Sequence, residues 1–152
     1  MNKLYFQYCP KLVVFDKTLN KVLLAKRRGE QDYDGIFSFI GGKIETSDGG
    51  IIEGIKREKN EEVGTNAKIQ IAEMPVFNAY FEKKDGSPMI LPHHICKYLG
   101  GNIKLNDEYS EYQWVSLDDL KDFGPKIDTI VPAVEWAKRF IDQLQEEDFL
   151  TI

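Results

Sequence analysis

The segment from Gly41 to Gly64, GGKIETSDGGIIEGIKREKNEEVG, constrains this chain more than any other. Winding Ile51 to Val63 as a helix places Glu58, Glu61 and Glu62 within about a quarter of its circumference. Like charges at this spacing destabilise a bare helix by a few tenths of a kcal/mol, roughly, so the face calls for a compensating partner. A divalent cation is one. Oxygen-only ligands suit a hard ion, and Mg²⁺ takes a few carboxylates, keeps waters and fills its remaining positions with substrate phosphates. Ile51, Ile52, Ile55 and Val63 fall on an adjoining arc, which is expected to pack on a sheet and so aim the acids. Gly54 costs about 1 kcal/mol relative to Ala in a helix, and the expected benefit is room for metal or phosphate. Arg57 stands four residues before Glu61, the spacing at which the two pair. Gly41 and Gly42 permit close passage of backbone, and Lys43 suits a phosphate as a point charge.

An acidic helix face alone is common on soluble proteins, and the weight rests on the joined features. Gly42, Arg57-Glu58, Glu61-Glu62 and Gly64 together resemble the Nudix box, the signature of hydrolases acting on nucleoside diphosphates linked to another moiety. Two positions depart from that pattern. Asp48 stands where the first glutamate of the box is expected, and the loop from it to Arg57 is one residue longer than usual; in the family that first acid is mainly a structural support. Lys59 replaces an apolar residue, and snorkelling along the sheet with its ammonium at the edge would accommodate it.

The resemblance implies an α/β fold, an α/β/α sandwich around a mixed central sheet, and residues 1–152 as a single such domain. It implies Mg²⁺ or Mn²⁺ held by Glu58, Glu61, Glu62 and the Gly42 carbonyl, with Arg57 orienting the acids. A further glutamate is expected in the loop before a Trp-containing strand; Glu108 is the first choice and Glu111 the second. Glu58 and the loop glutamate both remain open as the general base. Lys26 or Arg28, at a strand end, and Lys43 are expected at the substrate phosphates. Tyr80 stands where dinucleoside-polyphosphate members carry a tyrosine, although a lone strand aromatic is more often core.

Bulk properties narrow the partners. A net charge of −5 and no dense Lys/Arg block argue against duplex nucleic acid, whereas a small polyphosphate needs only a local cation cluster. Cys9 and Cys96 have neither disulfide-framework nor zinc spacing, and are expected to be buried or idle thiols. No 18-residue apolar run and no leader pattern are present, so no membrane partner and a cytoplasmic location are expected. Oligomeric state stays open, a homodimer included.

Taken in order, Lys11–Phe15 and Val22–Lys26 read as strands joined by a hairpin turn through Asp16 to Asn20, followed by a flexible polar loop at a cleft mouth from Gly29 to Gly35. Ile36–Ile40, Ala67–Ala72, Val76–Glu82 and Ile90–Leu99 read as further strands, the last two joined through Lys84-Asp85-Gly86. His93 and His94, being adjacent, face opposite ways and lack ligand-spaced companions, which favours structural roles. Trp114 lies on a strand, Ser116 caps a short helical turn over Asp118–Asp122, and Pro132 opens a final helix with Val134, Ala137, Phe140, Ile141 and Leu144 at helical spacing and Trp136 packing beside them.

The expected activity is metal-dependent hydrolysis of a phosphoanhydride in a nucleoside triphosphate, a nucleotide sugar, ADP-ribose or a dinucleoside polyphosphate. The alternative is a nucleotide-binding, sensing module of the same fold without turnover, suggested by the altered first acid and Lys59.

Overall fold

A computed structural model describes residues 2–152. The strands are β1 (Gln7–Tyr8), β2 (Lys11–Phe15), β3 (Lys21–Arg27), β4 (Phe37–Ser38), β5 (Lys68–Glu82), β6 (Pro88–Gly100), β7 (Tyr109–Ser116) and β8 (Phe149–Thr151), with helices α1 (Ile51–Val63) and α2 (Ile130–Ile141). One mixed sheet runs β4-β3-β2-β6-β5-β8, with β7 also on β3 and β1 also on β6. β6 runs parallel to β1 and β2, and the other ladders are antiparallel.

Helices cover both faces of the sheet, which is why β2 reads as an unbroken apolar run rather than an alternating one. Leu12 and Val14 point into the layer under α1, with Leu23, Ala25, Ile55, Val63, Ile69 and Ile71. Val13 and Phe15 point into the layer under α2, with Val22, Leu24, Ile95, Val134, Ala137 and Ile141. The α/β sandwich inferred from the sequence is the fold observed. Trp136 packs on Phe77 and Phe140, and Pro132 lies in the first turn of α2, where its missing N–H costs no helix bond.

Three local expectations are corrected. Ala67–Ala72 and Val76–Glu82 belong to one strand, β5, whose register against β6 shifts between Ile71 and Val76; Pro75 has no ladder N–H to give and sits in that irregularity. Asp118–Asp122 forms the short turn expected, with the Phe123 N–H on the Asp119 carbonyl at 3.0 Å and the Asp118 N–H on the Ser116 hydroxyl at 3.3 Å. Ile51 leaves the apolar arc of α1 and is exposed, while Ile52, Ile55 and Val63 pack on the sheet as expected. Lys59 does not reach the edge. It is 1% exposed, its stem filling the expected apolar position while its ammonium donates to the Ala67 carbonyl at 2.9 Å.

β1 and β8 were not foreseen. Both are too short to show a period of their own, and they form only because β6 and β5 offer free edges.

Candidate active site

α1 is held at its C-terminal end by backbone that the acids depend on. Its C-terminal carbonyls, which have no partner within the helix, accept N–H groups from the loop before β7: Val63 from Lys104 at 2.9 Å and Glu62 from Asn106 at 3.1 Å. That loop then turns back, the Asn106 side chain taking the Glu108 N–H at 3.0 Å and the Glu108 carbonyl taking the Arg28 N–H at 2.8 Å. Glu108 is thereby brought to the same cavity as Glu58 and Glu62, about 590 Å³ in volume, whose wall also includes Lys11, Lys43 and Tyr80.

Glu62 is the most buried acid in the molecule, 1% exposed, with one oxygen accepting the Gly41 N–H at 2.7 Å. Burial, reinforced by Glu108 and Glu58, pushes its pKa up to about 8 against the pull of Lys11 and the Gly41 N–H. Lys11 donates to the Gly41 carbonyl at 3.0 Å, so Gly41 is held through both its N–H and its carbonyl. At the next residue, a Cβ on Gly42 would lie 2.2 Å from the Glu58 carboxylate. Only glycine lets that carboxylate rest on the backbone there. Glu58 is itself raised, by burial first, with Glu61 and Glu108 adding to the effect and Arg57 opposing it.

Arg57 spends its whole fork. Nε and Nη2 meet the two Asp48 oxygens at 2.6 and 3.0 Å, Nη1 reaches Glu58 at 3.0 Å and Glu61 at 3.2 Å, and Nη2 also donates to the Lys43 carbonyl at 3.0 Å. The hydrogen bond to Asp48 is the largest cause holding the Arg57 pKa above its ordinary value, and the same bond holds Asp48 below the usual carboxylate range. Asp48 therefore does the supporting work of the displaced first acid, and the longer loop is absorbed by a 3-10 turn over Thr46–Asp48. This overturns the reason given for Gly54. A Cβ there would meet Asp48 Oδ2 and Ile44 Cδ1, each at 2.6 Å, so the vacant volume seats the loop that holds Asp48 and leaves no room for metal or phosphate.

The other predicted site residues divide cleanly. Lys43 and Tyr80 line the cavity, Tyr80 as an exposed wall residue instead of core. Glu61 pairs with Arg57 at the exposed edge of the cluster, outside the cavity wall. Lys26 faces away and pairs with Glu111 at 3.7 Å, and Arg28 pairs with Asp107 at 3.6 Å. Because strand neighbours alternate, the intervening Arg27 takes the cavity side, where it pairs with Glu30. The alternation was legible, but which face met the cleft was not. Lys11 was missed as well, as was Tyr109, whose phenol is pushed up by burial and by Glu62. The loop from Gly29 to Gly35 does stand at the cavity mouth, though tied down: Lys84 donates through its N–H to Asp32 at 3.2 Å and through Nζ to the Gln31 carbonyl at 3.0 Å.

Among the described residues no three His, Cys, Asp or Glu side chains converge into a ready-made cation site. The donor set nonetheless fits a hard divalent ion. Glu58, Glu62 and Glu108 line one cavity, and the pKa values of Glu58 and Glu62 are raised by burial first and by the neighbouring carboxylates after it, so a cation placed among them would be favoured. An open set of carboxylates completed by water and substrate phosphate is the Mg²⁺ pattern.

His93 and His94 are buried and structural. His93 Nδ1 donates to the Phe77 and Leu91 carbonyls at 3.0 and 2.9 Å, and His94 Nδ1 to Ala72 at 2.9 Å. Burial lowers both pKa values, that of His93 to about 4. A neutral imidazole with a depressed native pKa contributes its full stability above the unfolded value of 6.5 and loses it as pH falls towards 4. The expected loss is about 3 kcal/mol. Glu62 titrates in the opposite sense, so the histidine part is read as a difference: urea midpoints between pH 7 and pH 4.5 should fall further for wild type than for His93→Phe. Parallel falls would show that His93 is not held neutral.

A NUDIX domain family model matches residues 11–139. No curated protein matched significantly. Among solved structures, a MutT protein from Methanosarcina mazei Go1 aligns at TM-score 0.74 and 21% identity, covering 91% of this chain and 97% of that one. The C. elegans Ap4A hydrolase, solved as a binary complex, aligns at TM-score 0.73 and 16% identity, covering 91% and 99%. The NUDIX domain of Shewanella oneidensis NrtR, complexed with ADP ribose, aligns at 0.67 and 17%, covering 94% and 91%. At these identities the structures establish a shared fold.

Proposed function

This chain belongs to the Nudix family, whose hydrolases act on pyrophosphate bonds, and on that premise we propose that it is a Mg²⁺- or Mn²⁺-dependent enzyme cleaving a phosphoanhydride in a nucleoside diphosphate derivative. The observation that carries the reading is that Glu58 and Glu62 from a helix and Glu108 from a distant loop all line one cavity. Residues 1–152 are read as one such domain, supported by a single sheet shared between both core layers.

Glu58, Glu62 and Glu108 would hold the metal, with Glu61 and the Gly42 carbonyl as further donors at the edge. When bound, the ion neutralises charge on the phosphates and lowers the pKa of a coordinated water. The chain's own groups do the rest. Gly41 fixes the Glu62 carboxylate, Arg57 fixes Glu58 and Glu61, and Lys11, Arg27 and Lys43 set positive charge around the cavity for the phosphates. Glu58 or Glu108 would accept a proton from the attacking water. Tyr80, with the Tyr33–Phe81 pair at 5.3 Å between centroids, offers aromatic surface to a base.

The structural neighbours include a MutT protein, an Ap4A hydrolase and a NUDIX domain complexed with ADP ribose, which supports a nucleotide derivative as substrate class. The sensing alternative drew on the displaced first acid, and Asp48's bidentate hold on Arg57 weakens it. No helix among the described residues is long and apolar enough to cross a membrane; a cytoplasmic setting, and a homodimer, remain proposals. A panel of nucleoside triphosphates, nucleotide sugars, ADP-ribose and dinucleoside polyphosphates, assayed with Mg²⁺, with Mn²⁺ and with chelator, should reveal turnover that chelation abolishes. Tight nucleotide binding with no metal-stimulated turnover across the panel would favour the sensor.

A further inference from the structure

The cavity holds four cationic side chains, and they are not alike. Lys11 is spent on the Gly41 carbonyl and Arg27 on Glu30. Lys43 and Lys83 also line the cavity, and among the described residues neither ammonium has an ion-pair or hydrogen-bond partner within the protein. They come from different elements, Lys43 from the loop leading to α1 and Lys83 from the turn between β5 and β6. Both stand on anchored backbone. The Lys43 carbonyl is held by Arg57 at 3.0 Å. The Lys83 turn is closed by the Lys83 N–H on the Ser87 carbonyl at 3.0 Å, and is fastened through Lys84 to Gln31 and Asp32.

Two ammonium groups facing one another across a rim repel, and Lys83 is, after burial, the next cause holding Lys43 below its ordinary pKa. The nearby carboxylate is Asp85, which is fully exposed and forms no ion pair within 4.0 Å; it accepts the Ser87 N–H at 2.9 Å inside the turn. Among the described residues, the two ammonium groups at this end of the cavity therefore have no carboxylate of their own within ion-pair distance.

We propose that Lys43 and Lys83 form an anion subsite at the cavity rim that takes a phosphoryl group beyond the scissile pyrophosphate link, selecting nucleotides with three or more phosphates in line over diphosphates joined to an uncharged sugar. The inference rests on the hydrolase reading given above. It follows from where the unpaired cations stand. A substituted diphosphate brings two negative charges, which would lie with the metal at the acidic cluster, whereas a further phosphoryl group would bring the charge that a second, separate pair of unpaired cations can meet. Lysine suits the role, since a flexible point charge follows a polyphosphate chain without demanding one fixed fork geometry.

The test uses inorganic anions, so that it is independent of turnover. Titration calorimetry with Mg²⁺ present should give wild-type protein about ten-fold tighter binding of tripolyphosphate than of pyrophosphate. Lys83→Gln should remove that preference and leave pyrophosphate affinity within about two-fold. Lys21→Gln, which removes the same charge outside the cavity, should keep the preference. Equal affinity for the two anions in wild type, a preference that survives Lys83→Gln, or one lost equally in Lys21→Gln would overturn the subsite. Failure of every nucleotide to turn over would defeat the hydrolase reading while leaving this binding difference intact, so the two are separable.

Discussion

Glu62→Gln lowers kcat by about 10²–10³-fold and weakens Mg²⁺ binding while leaving the fold intact. The amide is nearly isosteric, and its oxygen still accepts the Gly41 N–H that Glu62 accepts at 2.7 Å. What disappears is the charge. The same variant has a second signature. A buried carboxyl whose native pKa is raised to about 8 contributes stability that is complete below the unfolded value of 4.5 and is lost as pH rises through 8. Metal-free wild type should therefore lose melting temperature between pH 6 and pH 9 more steeply than Glu62→Gln, and added Mg²⁺ should restore wild type alone. Full turnover in purified Glu62→Gln protein would remove the acid from the machinery.

Arg57→Lys should cost about 10–100-fold in kcat with little change in KM. Lysine keeps the charge but has no planar fork, and cannot meet both Asp48 oxygens while also reaching Glu58, Glu61 and the Lys43 carbonyl. Arg57 is a positioning residue, since its partners are the acids and the loop. The kcat-against-KM split is the discriminating readout, because simple loss of folded protein would leave KM and kcat per folded molecule unchanged. Stability should fall by about 1–3 kcal/mol as the Asp48 contact loosens. A variant with kcat within about two-fold of wild type would show that the fork is dispensable.

Both predictions concern α1, where sequence reading reached furthest. A helix carries its own spacing, so Ile51 to Val63 could be bounded, and Glu58 and Glu62 placed beside each other, before any coordinates were known. Glu108 was nameable because it lies a short way before Trp114, although nothing in the sequence says how its loop returns to α1. The strands were legible where an apolar run met a turn signal, as at Lys11–Phe15 and its hairpin to β3. They were not legible at β8, which depends on the exposed edge of β5 for its existence.

Errors cluster where a residue's surroundings come from elsewhere in the chain. Lys26 and Arg28 against Arg27 is a choice between two sheet faces, and only the position of the β4–α1 loop and the Glu30 carboxylate settles it. Gly54 reads as vacant space in one dimension; in three it is filled by Ile44 and Asp48. Lys59 reads as a misplaced charge until the Ala67 carbonyl comes within 2.9 Å.

By itself the sequence determined the acidic helix, the glycine bracket around it and the chemistry those residue types favour, because periodicity and ligand preference are local properties. Only tertiary structure decided which cations enter the cavity, that Asp48 replaces the displaced acid, and that Glu62 is buried deeply enough for its pKa to reach about 8. Those depend on desolvation and on distances between segments remote in the chain, and neither quantity exists until the sheet has brought them together.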